Sequence, residues 1–395
     1  MSEKDHLKIL PYGRQSVDEN DVKAVMNAVE APFLTTGPGV AEFEKKMCKI
    51  TTAKYAVACA SGTAALHLAC MALGVKNGDL GLTSPISFLA SANCVEYCRG
   101  QADFIDIDPS TLCLSPEDLD RYCRKIKVPD LVIPVDFAGV PADLPAIKKL
   151  SDQYGFKVIE DAAHALGSQY QDGGKTYDCG SCAHTDLAVF SFHSVKTVTT
   201  GEGGAVMTND QGLAKRLRRL RSHGMETQKA KQAEQGDWYY EMTDLGYNYR
   251  ITDLQCALGI AQLEKLSAFK ARRQEIVSCY NRAFGKIASL ILPPDRLEGP
   301  ACPHLYPIRI KGGSALRKKI YQALRAMDIY CQIHYIPIYW QPYYAQKYNY
   351  QRGRCPGAET YYSQCLSLPL FPAMFDSDVG RVVEGVIKTL AQLNE

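Results

Sequence analysis

The sequence predicts an α/β protein in which a large domain, built around a mainly parallel central sheet, precedes a smaller α+β domain. Short apolar runs alternate with helix-like segments between residues 56 and 160, as in YAVACA, DLVIPVDFAG and FKVIED, and such alternation is typical of βαβ units. Residues 254–283 have a helical pattern without a strong strand signal. Beyond them, HLYPIRI, KKIYQALRAM and QIHYIPI predict a strand, a helix and another strand.

The length also favours two domains, because 395 residues exceed the size at which a single core usually stops growing. We place the large domain, with its N-terminal segment, at residues 1–265 and the small domain at residues 266–395. The helical stretch at 254–283 is expected to form one long helix that joins them. Open α/β sheets bind ligands at the carboxyl ends of their strands, so the segments after the predicted strands are candidate sites.

Composition and charge exclude several classes of partner. The formal net charge is only +2, from 45 basic and 43 acidic residues that are interspersed, so no basic stripe for nucleic acid is present. No apolar run approaches the roughly 18–20 residues of a membrane-spanning helix. The N-terminus, MSEKDHLKIL, lacks the apolar stretch of a signal peptide. We therefore expect a cytoplasmic protein without nucleic-acid or membrane partners.

The 15 cysteines are scattered through apolar segments such as YAVACA and LQCALG, which predicts buried thiols rather than a disulfide framework. One close pair, Cys179 and Cys182 in CGSC, has the spacing of a redox or zinc motif. No second CxxC pair and no metal-spaced histidine accompanies it. A structural role is the preferred interpretation, and no metal is expected.

The first candidate site segment is ASGTAAL, where the predicted strand YAVACA runs into a helix-like stretch of small residues. A helix N-terminus that contains Ser61, Gly62 and Thr63 can hold a phosphate through its dipole, its backbone N–H groups and a hydroxyl. The same pattern is also common where a serine only caps a helix. The segment becomes informative only together with others.

The second segment is VIEDAAHALG, which places Asp161 at the end of an apolar strand. A buried carboxylate needs a partner, and a protonated pyridine nitrogen would supply one and keep a cofactor ring an electron sink. The alternative is that Asp161 caps a helix formed by AAHAL. His164, three residues on, would then face the same side of that helix as Asp161.

The third segment is AVFSFHSVKTVTTGEGGA, in which an apolar strand delivers Lys196 into a run of hydroxyls and glycines. Partial desolvation would lower the pKa of its amine and make it available to attack an aldehyde. Ser191 could contribute a phosphate-binding hydroxyl, and Gly201, Gly203 and Gly204 permit close backbone approach. The alternative is a solvated lysine in a glycine-rich loop.

Taken together, five blocks resemble the DegT-type nucleotide-sugar aminotransferases, which are fold-type I enzymes dependent on pyridoxal 5'-phosphate. In order along the chain, these blocks are SGTAALHLA, SPISFLASAN, EDAAHALGS, FSFHSVKTVTTGEGG and GYNYRITDLQCALGIAQL. Within the family, WYYEMTDLGYNYR, QIHYIPIYWQPYY and AETYYSQCLSLPLFP are most similar to the pseudaminic acid pathway aminotransferases. Where close relatives have proline in FSFHPVK, this chain has Ser194.

The resemblance implies roles for several residues around the cofactor. Lys196 would form the Schiff base with pyridoxal phosphate and then shuttle protons, and its presence argues against the family branch that has histidine there and performs dehydration. Asp161 would hold the pyridine nitrogen, and His164 would lie near the ring hydroxyl. Phe88 would stack on the ring, for which its flat apolar face is suited, whereas without the family a core phenylalanine is the simpler interpretation.

The same resemblance implies that the cofactor phosphate is held by Gly62, Thr63 and Ser191, and by Asn248 of the partner subunit. That last assignment makes a homodimer with shared active sites necessary. Arg250 is a candidate for binding the glutamate carboxylate or the substrate, because guanidinium groups suit carboxylates and phosphates, but a structural salt bridge is an equal alternative.

The implied reaction transfers an amino group from L-glutamate to a UDP-linked 4-keto-6-deoxy-N-acetylhexose, giving the 4-amino sugar of pseudaminic acid biosynthesis. His334, Tyr335, Tyr343 and Tyr344 are candidates to contact sugar or uracil, although the tyrosines could equally pack in the core. One alternative is an aminotransferase for another nucleotide-linked 3- or 4-keto sugar. Another is a catalytically silent regulatory protein on the same fold.

Overall fold

The computed structural model of the protein describes residues 8–393. Residues 1–7 and 394–395, which form the outer ends of the two predicted domains, lie outside the described residues. Most of the N-terminal segment MSEKDHLKIL, for which the sequence predicts no signal peptide, therefore also lies outside the described residues. Within the described part of the chain, no helix is both long enough and apolar enough to cross a membrane.

The strands are short and mostly buried. In chain order they are β1 (Leu10–Pro11), β2 (Tyr55–Cys59), β3 (Leu80–Thr83), β4 (Gln101–Phe104), β5 (Leu131–Ile133), β6 (Lys157–Asp161), β7 (Gln169–Asp172), β8 (Lys175–Asp178), β9 (Leu187–Ser191), β10 (Gly204–Thr208), β11 (Met225–Glu226), β12 (Glu241–Met242), β13 (Leu290–Ile291), β14 (Tyr306–Ile310), β15 (Ile329–Tyr330) and β16 (Cys365–Leu368).

The α-helices connect these strands and cover their faces. In chain order they are α1 (Glu19–Glu30), α2 (Pro38–Thr51), α3 (Gly62–Leu73), α4 (Ala90–Tyr97), α5 (Pro116–Lys125), α6 (Leu144–Tyr154), α7 (Gln211–Arg221), α8 (Lys229–Gln235), α9 (Asp253–Glu264), α10 (Leu266–Phe284), α11 (Gly313–Ala326), α12 (Pro342–Tyr348), α13 (Pro356–Gln364) and α14 (Asp376–Leu393).

The central sheet has seven strands in the order β2-β10-β9-β6-β5-β3-β4. All neighbours pair in parallel except β10, which runs antiparallel to β2 and β9. The strands are nearly continuous runs of buried apolar residues, as expected for a sheet covered on both faces. The parallel strands therefore end at one edge of the sheet, where their following loops meet.

The predicted α/β class is confirmed, and so are the strands in YAVACA, DLVIPVDFAG and FKVIED. The C-terminal part contains a three-stranded antiparallel sheet in the order β13-β14-β16, with α11 and α13 packed on it. The strand predicted in HLYPIRI is β14, and the helix predicted in KKIYQALRAM is α11. The boundary between residues 265 and 266 stays a prediction, and β1 from the N-terminal segment pairs with β15 of the C-terminal part.

Two predicted elements are wrong in detail. The single long helix expected at 254–283 is two helices, α9 and α10, which meet at Lys265. The Lys265 amine forms ion pairs with Asp18, at 3.0 Å from its Oδ2, and with Asp21. The N-terminal end of α1 therefore holds the junction between α9 and α10 in place.

The strand predicted in QIHYIPI is also wrong, because only an isolated bridge between Gln332 and Ser367 continues the sheet there. His334 Nδ1 and Tyr335 Oη form side-chain hydrogen bonds instead, and Pro337 has no N–H for a ladder. Residues 332–337 therefore form an irregular segment rather than a strand.

Candidate active site

A cavity of about 630 Å³ opens at the edge where the parallel strands end. Its walls include the loop after β2, the segment before α4, the end of β6, the end of β9 and the irregular segment at 332–336. Ligand sites of open α/β sheets lie at this edge. The cavity is also within the size range of small-molecule and cofactor sites.

Lys196 lies in the loop five residues after β9 ends, with its backbone N–H bonded to the carbonyl of His193 at 2.9 Å. Its side chain is partly accessible to the cavity but otherwise surrounded by protein. Burial lowers the pKa of the amine to about 8, an effect that the nearby Asp161 opposes. Far more of the Lys196 amine is therefore uncharged at neutral pH than of an ordinary lysine, and this form can act as a nucleophile or a base.

Asp161 is the last residue of β6 and is only 4% exposed. Its Oδ2 accepts a hydrogen bond from Ser91 at 2.6 Å, and its Oδ1 accepts one from the backbone N–H of Ala163 at 3.2 Å. Burial raises the pKa of this carboxyl, whereas the Ser91 hydroxyl and Lys196 lower it. Asp161 is thus a buried acid that faces the cavity and lacks an ion-pair partner among residues 8–393.

The alternative role for Asp161, capping a helix formed by AAHAL, is wrong. Residues 162–167 form turns and not a helix. The expectation that His164 follows Asp161 on one helical face therefore also fails, although both residues line the cavity. The Asp161 carboxylate accepts from a residue two positions on, which is the local hydrogen bond that aspartate makes in turns.

Three buried histidines, His164, His304 and His334, lie close to one another in this part of the site. The His164 ring is 4.5 Å from that of His304, and its Nε2 lies 3.3 Å from the Tyr335 hydroxyl. Burial is the main cause that lowers the pKa of both imidazoles and that of His334, the last to about 3. All three are therefore neutral and place no competing positive charge beside Lys196. The buried His164 Nδ1 lacks a hydrogen-bond partner in residues 8–393, so it can still receive one from a ligand.

The start of α3 forms a narrow cradle. The Ser61 side chain accepts from the backbone N–H of Ala64 at 3.1 Å, so Ser61 caps the helix, while Gly62 and Thr63 line the cavity. A Cβ on Gly62 would lie only 2.7 Å from Ser191 Cβ, and one on Gly204 would lie 2.3 Å from the Ser61 carbonyl oxygen. Glycine at both positions lets a helix N-terminus meet the Ser191 hydroxyl, an arrangement suited to a phosphate.

Phe88 is 59% exposed and lines the cavity, so the interpretation of it as a core phenylalanine is wrong. Its ring centroid is 6.4 Å from that of Tyr335, across an interplanar angle of 59°. Tyr12, from the segment after β1, closes the wall near His334, with ring centroids 5.0 Å apart. A flat aromatic ligand therefore meets an available aromatic face.

Four other candidates lie away from this cavity. Tyr344 is buried and donates to Asn93 Oδ1 at 2.6 Å, and Tyr343 donates to Glu96 at 3.3 Å, so both attach α12 to α4 and are not at the cavity.

The other two of these candidates, Asn248 and Arg250, lie on either side of Tyr249. The carbonyl oxygen of Tyr249 accepts a hydrogen bond from the backbone N–H of Ala60, the residue that precedes the cradle at the start of α3. Asn248 is exposed, and Arg250 has no ion pair within residues 8–393.

A buried acidic cluster lies behind Asp161. Oxygen atoms of Asp136 and Glu160 and the Cys179 sulfur all lie within 4.8 Å of one another. Burial, the largest cause, raises the pKa of Asp136 to about 7 and that of Glu160 further above its usual range. Such groups can hold a metal, but burial also raises the pKa of the Cys179 thiol and disfavours a thiolate ligand. Burial and the proximity of the two carboxyls therefore favour the protonated form of both Asp136 and Glu160.

This pair predicts a pH-dependent stability. Both acids have higher pKa values in the folded than in the unfolded chain, so the folded state retains a proton that the unfolded state has released. The contribution of Asp136 to stability is then greatest at or below about pH 4 and is lost as the pH rises toward about 7, where Asp136 titrates. Asp136→Asn removes the part of this loss that Asp136 causes, so its Tm relative to wild type should rise by several degrees between these pH values.

Thermal unfolding of both proteins over that pH range checks this expectation. Asp152→Asn is the control, because Asp152 forms only an i,i+4 ion pair with Lys148 at the surface. Its difference from wild type should stay small and flat. Parallel curves for Asp136→Asn and wild type would contradict a raised pKa of Asp136 in the folded state.

Several cavity residues were not predicted from the sequence as site residues. Ser87 and Ser91 lie within the quoted block SPISFLASAN, four residues apart, so that spacing is the signal that could have indicated them. Tyr12 lines the cavity from a distant segment, and His304 packs against His164 without lining the cavity; nothing in the local sequence of either residue indicates a site. All fifteen cysteines, including Cys179 and Cys182, are free thiols.

Comparisons with known proteins agree with this arrangement. The DegT/DnrJ/EryC1/StrS aminotransferase family matches residues 15–387. Spore coat polysaccharide biosynthesis protein SpsC of Bacillus subtilis is 38% identical over 384 residues, or 95% of this chain and 96% of that protein. The uncharacterized protein MJ1066 of Methanocaldococcus jannaschii is 35% identical over 387 residues, or 97% of this chain and 98% of that protein.

Among solved structures, Helicobacter pylori PseC, an aminotransferase involved in the biosynthesis of pseudoaminic acid, is similar over its whole length. The TM-score is 0.89 at 29% identity, and the match covers 97% of this chain and 100% of that chain. Together with the seven-stranded sheet, this likeness confirms the fold-type I architecture.

Proposed function

Because the chain belongs to the DegT/DnrJ/EryC1/StrS aminotransferase family, we propose that it transfers the amino group of L-glutamate to the C4 ketone of a UDP-linked 4-keto-6-deoxy-N-acetylhexose. Its cofactor is pyridoxal 5'-phosphate. The observation that carries the proposal is the meeting of the Lys196 amine and the buried Asp161 carboxylate in one cavity beside the cradle at Gly62.

The residues present fit this cofactor. Gly62, Thr63 and Ser191 would hold the phosphate, since the helix start offers free N–H groups and the close approach leaves no room for a side chain at Gly62. Asp161 would meet the ring nitrogen, and the unpartnered Nδ1 of His164 leaves that imidazole a hydrogen-bonding group for the ring substituents. When bound, the cofactor supplies an electron sink for the carbanion that transamination requires.

Lys196 performs the proton transfers. With its pKa near 8, the amine can remove the proton from the α-carbon of glutamate and return a proton elsewhere. In the second half of the reaction the same group handles the proton at C4 of the sugar. Asp161, shielded from water, keeps a negative charge opposite the ring nitrogen throughout, and the neutral histidines leave that charge uncompensated by other cations.

The cavity supplies few positive charges for the anions it must hold. Among the described residues that line it, Lys196 is the only lysine or arginine. The cofactor phosphate, the glutamate carboxylates and the sugar diphosphate all require cations or N–H donors. Arg250, which lacks an ion pair within residues 8–393, and the exposed Asn248 are therefore proposed to enter the cavity of the partner subunit, which makes the enzyme a homodimer.

Mixing two inactive variants tests this shared site. Lys196→Ala and Arg250→Gln should each lose activity, the second by about 10- to 100-fold because a charged hydrogen bond is removed. If Arg250 crosses to the partner, random mixed dimers contain one intact site, and co-refolded mixtures should regain about a quarter of wild-type activity. An unrescued mixture with confirmed subunit exchange would place Arg250 in its own subunit. Arg282→Gln is the matched control at an exposed position.

The substrate assignment is supported by the likeness to PseC of H. pylori and SpsC of B. subtilis, whose names place them in sugar and polysaccharide biosynthesis. Pseudaminic acid biosynthesis is the proposed pathway. His334 and Tyr335 are proposed to contact the sugar, since both line the cavity beyond Lys196. A cytoplasmic location suits the fifteen free thiols, which persist in a reducing compartment.

The direct test supplies purified protein with glutamate and either UDP- or dTDP-linked keto sugars. We expect 2-oxoglutarate and a 4-amino sugar from the UDP-linked substrate. Preference for another nucleotide-linked 3- or 4-keto sugar would overturn the substrate and retain the reaction. Failure of glutamate to convert bound cofactor to its amine form would instead favour the catalytically silent regulatory protein.

A further inference from the structure

Two serines near the start of α4 connect the cavity wall to Asp161 by hydrogen bonds. Ser91 Oγ donates to Asp161 Oδ2 at 2.6 Å, and Ser87 Oγ lies 2.7 Å from Ser91 Oγ. Ser91 is 1% exposed and Ser87 is 4% exposed. Both hydroxyls are shielded from water, where hydrogen bonds to a charged group are strongest.

The direction of these bonds follows from counting protons. Each hydroxyl has a single proton to donate, and an ionised carboxylate can only accept. Ser91 must therefore give its proton to Asp161, and its oxygen is left to accept the proton of Ser87. The bonds run in one direction, from Ser87 through Ser91 to Asp161, and each strengthens the next.

Ser91 does not serve its own helix. It lies in the first turn of α4, where a serine side chain commonly caps free backbone N–H groups. The N-cap position is instead Leu89, which makes no side-chain cap, and the Ser91 hydroxyl bonds to a residue 70 positions away. Helix capping therefore does not account for this side chain.

Asp161 has few other partners. The backbone N–H of Ala163 bonds to Oδ1 at 3.2 Å, and no lysine or arginine within residues 8–393 forms an ion pair with the carboxylate. Without Ser91, Oδ2 would lose its hydrogen bond inside the protein. A buried, unsatisfied carboxylate oxygen disfavours the charged form and frees the side chain to rotate.

We propose that Ser91 is a positioning residue that holds Asp161 charged and correctly oriented toward the ring nitrogen of the cofactor, with Ser87 polarising the Ser91 hydroxyl. The inference rests on the proposed function only in that Asp161 meets this cofactor. It adds two residues to the site that act on the cofactor through Asp161, without contact of their own with the reacting atoms.

Titration of apoprotein with pyridoxal phosphate tests this role. Ser91→Ala should weaken cofactor affinity by about 10-fold or more, because a hydrogen bond to a charged group is lost. Ser87→Ala should weaken it by a smaller factor, about 2- to 5-fold, because it acts one bond further away. Ser91→Thr, which keeps the hydroxyl, should restore most of the affinity. The pH profile of the bound cofactor's visible absorbance should shift in Ser91→Ala and return in Ser91→Thr.

The matched control is Ser84→Ala. Ser84 is 1% exposed, and its hydroxyl has no hydrogen-bond partner within residues 8–393. This variant removes a buried hydroxyl from the same segment without touching Asp161, so its affinity and pH profile should match wild type. Apoprotein Tm is measured for every variant, because a merely structural role of Ser91 would lower Tm without shifting the pH profile.

Wild-type affinity and pH profile in both Ser91→Ala and Ser87→Ala would overturn the proposal, as would equal losses in Ser91→Ala and Ser84→Ala. If Ser91→Ala does not fold, the Ser87→Ala shift decides the matter. These readouts need no sugar substrate. A wild-type protein that binds cofactor but aminates no keto sugar would therefore refute the proposed substrate and leave the comparison of serine variants intact.

Discussion

Replacing Lys196 with alanine is expected to reduce transamination by about 10³-fold or more, because both the covalent attachment of the cofactor and the proton transfers are lost. The fold should survive. Burial lowers the pKa of this amine, so its removal takes away a group that the folded state disfavours in charged form. The measurement is the initial rate of 2-oxoglutarate formation, together with Tm of the apoprotein.

Lys175→Ala is the control for that experiment, since Lys175 is an exposed lysine on the hairpin of β7 and β8. It should keep wild-type activity and cofactor content. If Lys196→Ala still transaminated at a rate close to that of wild type, the role of Lys196 would be refuted. A loss of activity accompanied by a large fall in apoprotein Tm would instead show that Lys196 supports the fold.

Replacing Asp161 with asparagine is expected to lower the rate by about 10²- to 10³-fold, the range seen when a group that stabilises developing charge is removed. Asparagine has almost the same shape, so it can still accept from Ala163 N–H, and the fold should be retained. What it lacks is the negative charge opposite the ring nitrogen. Cofactor affinity should fall with the rate.

Asp103→Asn serves as the matched control for a buried aspartate. Asp103 is 5% exposed and pairs with Arg354 and Tyr122, away from the cavity. This change should lower stability while leaving cofactor affinity per folded molecule near that of wild type. An Asp161→Asn enzyme with normal rate and affinity would mean that the ring nitrogen does not depend on this carboxylate.

The residues of the site that the sequence could indicate are those that follow strands directly. Asp161 ends β6, Ser191 ends β9 and Lys196 comes five residues later, so apolar runs mark their places in the chain. Parallel strands share one edge of the sheet, and this rule brings the three together. Their meeting at one cavity follows from the parallel pairing of β6 and β9.

The residues that the sequence did not indicate depend on contacts between distant segments. Ser91 reaches Asp161 across 70 residues, and Asp136 meets Glu160 from another strand end. His304, from the region between α10 and β14, packs against His164 with the two rings tilted by 41°. Side chains of these types are common in loops and helices, and only the tertiary arrangement distinguishes them.

Local pattern was misleading where tertiary contacts override propensity. AAHAL contains strong helix formers, yet Asp161 and the following residues turn through local hydrogen bonds so that His164 can reach the cavity. QIHYIPI alternates like a strand, but its buried polar side chains bond to Ser367 and His164. Both errors fall on walls of the cavity, where function overrides local preference.

Reduction of the holoenzyme with borohydride, followed by peptide mapping, tests the central claim most directly. The account predicts one pyridoxyl group per chain, attached to the peptide that carries Lys196, and none after Lys196→Ala. An active enzyme whose reduced cofactor is released, or is attached to a different lysine, would contradict it.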